Sequence, residues 1–232
     1  MLTVRPSGAR GRVDHGWLDA RHTFSFGAYR DPEHMGYRSL RVINEDRVAP
    51  GAGFGEHGHS DMEILTWVLS GRLRHADNTG GGEVIEPGTI QRMSAGTGIR
   101  HSEFNASKDE PVRLLQIWIL PDRQGHTPGY ESRDFPESER RNRLRVLASP
   151  DGRDGSVRVH QDAFMLDALL TRGSKVEHAL APGRGAWIQV ARGRVRVNGT
   201  ELGQGDACAV EDEATVAIEA LEDAEAIVFD LA

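Results

Sequence analysis

Two short stretches hold the residue types from which a metal site can be built. GEHGHSDMEI contains His57 and His59, and GTGIRHSEFN contains His101 and Glu103. Side chains on a β-strand alternate between faces, so residues two apart project the same way and each stretch offers two donors on one face. Three imidazoles and one carboxylate can then converge on one divalent cation. Nitrogen and oxygen donors without thiolate suit iron(II), manganese, cobalt, nickel, copper or zinc, and the donor list does not choose among them. Glycines beside both pairs let the backbone turn tightly. Four protein ligands on a six-coordinate ion leave positions for water, substrate oxygen or dioxygen, which points to catalysis or sensing rather than a closed structural site.

The elements that must hold these donors read as strands. Gly (27) and Pro (10) punctuate short apolar runs in a chain of 232 residues, and no long amphipathic helix is apparent. A strand is expected from Leu40 to Val48. MEILTWVLSGRLRHAD is apolar on both alternating faces until Gly71, as a strand buried on both sides would be. NTGGGEVIEPG reads as a hairpin loop before the strand TIQRMSAG, and no Gly-Lys-Ser/Thr follows it to support a phosphate loop. RLLQIWILP is a further strand. The polar, proline-bearing GHTPGYESRDFPESERRN marks a linker. The expected fold is therefore all-β, with an N-terminal domain over 1–130, a linker over 131–145 and a C-terminal domain over 146–232.

The second half carries a faint repeat of the first. WIQVARGRVRVNGTELGQGDACAV lies over TWVLSGRLRHADNTGGGEVIEPGTIQRM with Gly193 matching Gly71 and Gly205 matching Gly88. Carried back without gaps, His57 and His59 fall on Ala179 and Ala181, so the second copy is expected to lack metal ligands. His178 stands one place out of register and reads as a surface histidine. His15, His22 and His34 read as turn or packing histidines, and His75 as solvated. Glu63 shares the parity of the two paired histidines and is a candidate to orient one of them.

Composition narrows the function. Lys plus Arg number 28 against 35 Asp plus Glu, a net charge of −7, which leaves no basic footprint for nucleic acid or an anionic membrane. The single cysteine, Cys208, allows no intrachain disulfide and fits a reducing compartment. No run approaches membrane-span length and the N-terminus has no apolar core of signal-peptide length, so a cytoplasmic location is expected.

Gly51, five further residues and His-Gly-His resemble the first motif of the cupin superfamily, and His101 with Asn105 resembles the second. The usual motif-one glutamate would fall at Ile64, the Gly96–His101 loop is longer than usual, and Ser94 stands where proline is common. With HTFSFGAYRDP, LRVINEDRV, FGEHGHSDMEI, SAGTGIRHSEFN and LLQIWILP, these departures are similar to the pirin family, in its bacterial branch of quercetin dioxygenases. The resemblance implies a bicupin, two β-barrel domains of jelly-roll type, with one metal, usually iron, in the N-terminal barrel. Its ligands map onto His57, His59, His101 and Glu103. It implies an oxidoreductase that cleaves the flavonol quercetin with O2 and releases carbon monoxide; Glu103, the nearest carboxylate, is the candidate catalytic residue to accept the enol proton. Family members elsewhere imply the alternative of a metal- and redox-dependent binding protein that regulates a transcription factor or metabolic enzyme.

Overall fold

A computed structural model describes residues 1–232, which divide into two compact units. One comprises 11–134 with 157–161, the other 1–10, 135–156 and 162–232. Each is almost wholly β, and the only α-helix of the chain is the four-residue turn Glu137–Arg140.

The unit that contains both donor stretches is built of two antiparallel sheets. The larger runs Gly129–Asp134, Thr89–Ser94, Glu63–Ser70, Val112–Ile119, Leu40–Val48, Leu18–His22, Gly11–Asp14 in spatial order. The smaller runs Gly53–His59, Ile99–Asn105, Leu73–Asp77, Gly82–Ile85. Glu63–Ser70 and Val112–Ile119 lie in the middle of the larger sheet, so their apolar runs are buried on both faces. Inward side chains of the two sheets meet in a core that includes Val48, Val68, Leu73, Ile85 and Leu114. A second cluster of Ile64, Met93, Ala95 and Ile99 packs nearer the donor residues. Each such side chain contributes about 1.5–3 kcal/mol by leaving water, so the sheets have a core of their own that does not depend on an ion.

The other unit repeats the plan. Its larger sheet includes, in order, Leu2–Arg5, Ala207–Val210, Gly185–Arg192, Ala224–Leu231, Ala163–Leu170 and Arg145–Ser149. Its smaller sheet runs Lys175–Ala179, Thr215–Ala220, Arg194–Val197, Thr200–Gly203. The internal repeat seen in the sequence is thus one topology used twice. Gly71 and Gly193 even solve the same problem. Both have positive φ, and a Cβ on either would strike the next strand, at Pro111 O (2.7 Å) or Asp223 O (2.2 Å).

One expectation needs correction. The segment taken as a linker contains the strand Gly129–Asp134, which pairs with Thr89–Ser94 from Gly129 opposite Ser94 to Asp134 opposite Thr89. As an edge strand it buries neither face fully, so its polar composition imitates a loop. Residues 135–156 also group with the later part of the chain. Residues 1–10 group with the later part of the chain because Leu2–Arg5 pairs with Ala207–Val210, a partner too distant in sequence for local patterning to reveal.

Gly53 offers a direct test of how tightly the donor strands are apposed. A Cβ there would lie 2.2 Å from Glu103 O and 2.5 Å from Phe104 Cα, both backbone atoms, whereas one at Gly55 would meet nothing within 4 Å. Gly53→Ala should destabilise the protein by about 1–3 kcal/mol in denaturant melts, with Gly55→Ala close to neutral. Equal effects would mean that the two strands are not held at this spacing.

Candidate metal centre

His57 and His59 face inward because of one extra residue in their strand. Gly53–His59 pairs with Ile99–Asn105 so that Glu103 stands opposite Phe54 and His101 opposite His57. Gly55 and Glu56 therefore occupy the space opposite the single residue Ser102, which is a β-bulge. Phe54 packs inward against Trp17, with ring centroids 5.2 Å apart. Unbroken alternation from Phe54 would send Glu56 and Gly58 inward and both histidines outward. The bulge restores them, and Gly55, Glu56 and Gly58 are the exposed members. It also orients one ring. His57 Nδ1 donates to Gly55 O at 2.8 Å, which fixes the proton on Nδ1 and leaves Nε2 with a free lone pair.

The three rings converge as expected. Centroids of His57, His59 and His101 lie 4.4–4.9 Å apart, and a donor atom of each lies within 4.8 Å of the others. Burial, with the neighbouring His57, pushes His59 down to about 4, and burial with His57 and His59 pushes His101 down to about 3. Both imidazoles are therefore neutral near pH 7 and have a lone pair to give. His101 is buried, and neither of its ring nitrogens has a hydrogen-bond partner. A buried polar atom left unpaired costs about 1–3 kcal/mol. A divalent cation would relieve that cost, and the residues fit one.

Glu103 lies deeper. Its carboxylate, fully buried, accepts from Gln116 Nε2 at 3.0 and 2.8 Å and more weakly from Thr66 Oγ1 at 3.4 Å, and burial pushes its carboxyl above the usual carboxylate range. It belongs to a second donor group, His75, His101 and Glu103, that overlaps the first at His101. His75 is thus not solvated. It is 1% exposed, donates from Nε2 to Asp77 Oδ2 at 2.9 Å, and has no partner at Nδ1. Asp77 is itself held by Thr79 and Gly81. The spacing of His75 and Asp77, two apart on a strand, was a usable signal for this pair.

Glu63 does not reach the paired histidines. Its carboxylate accepts from Ser94 Oγ at 2.9 Å and His160 Nδ1 at 3.2 Å. Matching parity on a neighbouring sheet position was not enough, because the two strands belong to different sheets. His22, read as a packing residue, is buried and pairs through Nδ1 with Asn44 Oδ1 at 2.7 Å.

A cavity of about 230 Å³ opens onto the histidines. Phe26, Phe54, Ile64 and Trp118 form its apolar wall, with Phe26 edge-on to Trp118 at 5.2 Å and His59 edge-on to the same indole at 5.0 Å. Asn44, Asp46 and Gln116 form its polar wall. Burial, then the charges of Glu103 and Glu45, pushes the Asp46 carboxyl up to about 7. A lone polar residue inside an apolar strand, such as Gln116 in LLQIWIL, is the sequence signal for these residues.

The other unit reaches a different result on the same ladder. Asn105 N donates to Ala52 O and Ala220 N to Ser174 O, which sets the two pairs of strands in correspondence. Its strand Lys175–Ala179 pairs with Thr215–Ala220 without a bulge, Val176 opposite Ile218 and His178 opposite Val216. The equivalents of His57, His59, His101 and Glu103 are then His178, Leu180, Val216 and Ile218. The gapless mapping to Ala179 and Ala181 was one residue off, because the turn before Gly185–Arg192 is one residue longer than the turn before Glu63–Ser70. His178 is half-buried, and its Nε2 pairs with Asp230 Oδ2 at 2.7 Å.

The protein family described as Pirin matches residues 3–119, and that described as Quercetinase C-terminal cupin domain matches residues 146–231. The quercetin 2,3-dioxygenase of Escherichia coli (strain K12) is 46% identical over 100% of this chain and 99% of its own. A pirin-like protein of Caulobacter vibrioides is 42% identical over 100% of both. The crystal structure of the bacterial pirin YhhW of Escherichia coli in complex with nickel(II) matches with a TM-score of 0.95 at 46% identity, covering 100% of this chain and 99% of that one.

Two measurements follow from the geometry. His57→Ala with His101→Ala should give folded protein that holds no stoichiometric metal after dialysis against a chelator, and retained metal would place the site elsewhere. The second concerns the metal-free protein. An imidazole lowered from 6.5 to about 3 on folding takes up its proton only in the unfolded chain as pH falls through that window, so it subtracts stability there. Between pH 6.5 and 4, thermal melts of metal-free His101→Ala should therefore decline less steeply than those of the parent.

Proposed function

The chain belongs to the pirin family, and we propose that it is a metal-dependent quercetin 2,3-dioxygenase, cleaving the flavonol with O2 and releasing carbon monoxide. The carrying observation is the cluster of three histidines, two of them kept neutral by burial, at the end of an aromatic-walled cavity. A pocket that brings an apolar ligand to the donors favours turnover over docking of a protein partner. His57, His59, His101 and Glu103 hold one divalent cation, with iron(II) the first choice and nickel, manganese, cobalt, copper or zinc the alternatives. Leu180, Val216 and Ile218 offer no lone pair, so the other unit holds none. No helix is long and apolar enough to cross a membrane, and we assign the protein to the cytoplasm on its one buried, unpaired cysteine.

When bound, the cation supplies Lewis-acid stabilisation of the anion left when a substrate hydroxyl loses its proton. The chain's own residues do the rest. Phe26, Phe54 and Trp118 receive the flat ring system and keep water from it. At about 230 Å³ the cavity is smaller than the ~300–1,000 Å³ of pockets that enclose a whole drug-sized ligand, so it takes the reacting ring and leaves the remainder at the mouth. Glu103 accepts the enol proton. The Gln116 amide donates to both its oxygens and holds the carboxylate in place for that proton. The deprotonated flavonol is electron-rich enough to react with dioxygen, both atoms of which enter the product as carbon monoxide leaves.

Anaerobic reconstitution with iron(II), followed by quercetin and then oxygen, should consume the flavonol absorbance and yield carbon monoxide. Loss of absorbance without carbon monoxide would be autoxidation and would end this reading. In protein shown to retain its metal, Glu103→Gln should lower kcat ~10²–10⁴-fold, the usual contribution of a positioned base. Unchanged turnover would remove Glu103 from the proton step.

A further inference from the structure

Of Asn44, Asp46 and Gln116 on the polar wall of the cavity, Asp46 alone makes no hydrogen bond through its side chain. Asn44 Oδ1 accepts from His22, Gln116 Oε1 accepts from Thr66 Oγ1 at 3.1 Å, and Gln116 Nε2 donates to Glu103. Asp46 lines the same cavity, is 4% exposed, and its side chain makes no hydrogen bond or ion pair, with Oδ1 buried and unpartnered. In the ladder its neighbours are Ala20 on one side and Leu114 on the other, neither of which can donate. Native interiors leave few such groups without a ligand, water or functional reason.

We propose that Asp46 is a specificity-determining residue that accepts a hydrogen bond from a phenolic hydroxyl of the substrate, one remote from the hydroxyl that reacts. The inference rests on the flavonol reading and deepens it by saying which side chain selects a hydroxylated ring. Asp46 and Asn44 lie two apart on Leu40–Val48 and so share the inward face, with Trp118 on the next strand of the same sheet and Phe54 on the facing sheet. A ring received by Phe26, Phe54 and Trp118 lies beside that strand, and the edge of a polyphenol carries hydroxyl donors. A carboxyl accepts through its carbonyl oxygen whether or not it is ionised, so recognition does not depend on its charge. A site built to pair with a hydroxyl discriminates strongly against a ligand that lacks it, because the buried acceptor is then left empty.

The test is anaerobic binding, which needs no turnover. Metal-loaded protein is titrated with quercetin and with analogues each lacking one hydroxyl, followed by tryptophan fluorescence and flavonol absorbance. In the parent, removal of one hydroxyl other than the reacting one should weaken binding ~10–100-fold, the range for a hydrogen bond to a charged or buried partner. Asp46→Leu should bind quercetin and that analogue alike, and Asp46→Asn, whose amide oxygen still accepts, should recover part of the difference. Metal content should be unchanged in both. Discrimination that persists in Asp46→Leu, or a parent that binds every analogue equally, would overturn the proposal. The parent series alone decides the matter if the leucine variant does not fold. Discriminating binding without carbon monoxide release would defeat the reaction and leave Asp46 standing, whereas no flavonol binding at all would defeat both.

Discussion

The register of one strand pair governs the site. Phe54 must point inward to pack on Trp17, and His57 and His59 must point inward to meet His101, yet three residues separate Phe54 from His57. A regular strand cannot satisfy both demands, because its side chains alternate with a period of two. The bulge at Gly55 and Glu56 absorbs the odd residue, and the carbonyl it turns inward accepts the His57 Nδ1 proton. Core packing and donor placement are thereby reconciled in two residues, one of them a glycine with open space around it.

The unbulged ladder of the other unit shows what the scaffold does without this device. Val176, His178 and Leu180 take the inward positions in simple alternation, and Val216 and Ile218 face them from the next strand. These side chains join a large apolar cluster with Val195, Val197 and Leu202. The interior that gathers donor side chains in one copy is closed by hydrocarbon in the other. Its surviving histidine has been drawn into a pair with Asp230, which Arg184 also holds.

Burial sets the character of the donors in the bulged copy. Taking ionisable groups out of water disfavours their charged forms, so histidines there stay neutral and carboxyls hold their protons more tightly. Neutral imidazole is the form that ligates, and a carboxylate of raised basicity is the form that abstracts a proton. The same desolvation makes unpaired atoms costly, which is why the unpaired atoms of His101, His75 and Asp46 stand out.

Residue types and spacing alone determined the all-β class, the repeat, the two donor pairs and the buried central strands, because each is written in local periodicity of two and in glycine positions. The family resemblance extended this to the bicupin arrangement and to an expected set of four ligands. Tertiary structure alone decided the rest. Leu2–Arg5 joins a strand some two hundred residues away, and Gly129–Asp134 is an edge strand with the composition of a loop. The shared parity of Glu63 and the histidines means nothing across two different sheets. His75 and Asp77 pair in the interior although their stretch reads as polar. A longer turn, too, has no signature in a gapless alignment, so the extra residue before Gly185–Arg192 displaced the counterpart of His57 from His178 to Ala179. Periodicity reports which way a side chain points along its own strand; which strand lies beside it, and in what register, is fixed only when distant segments hydrogen-bond.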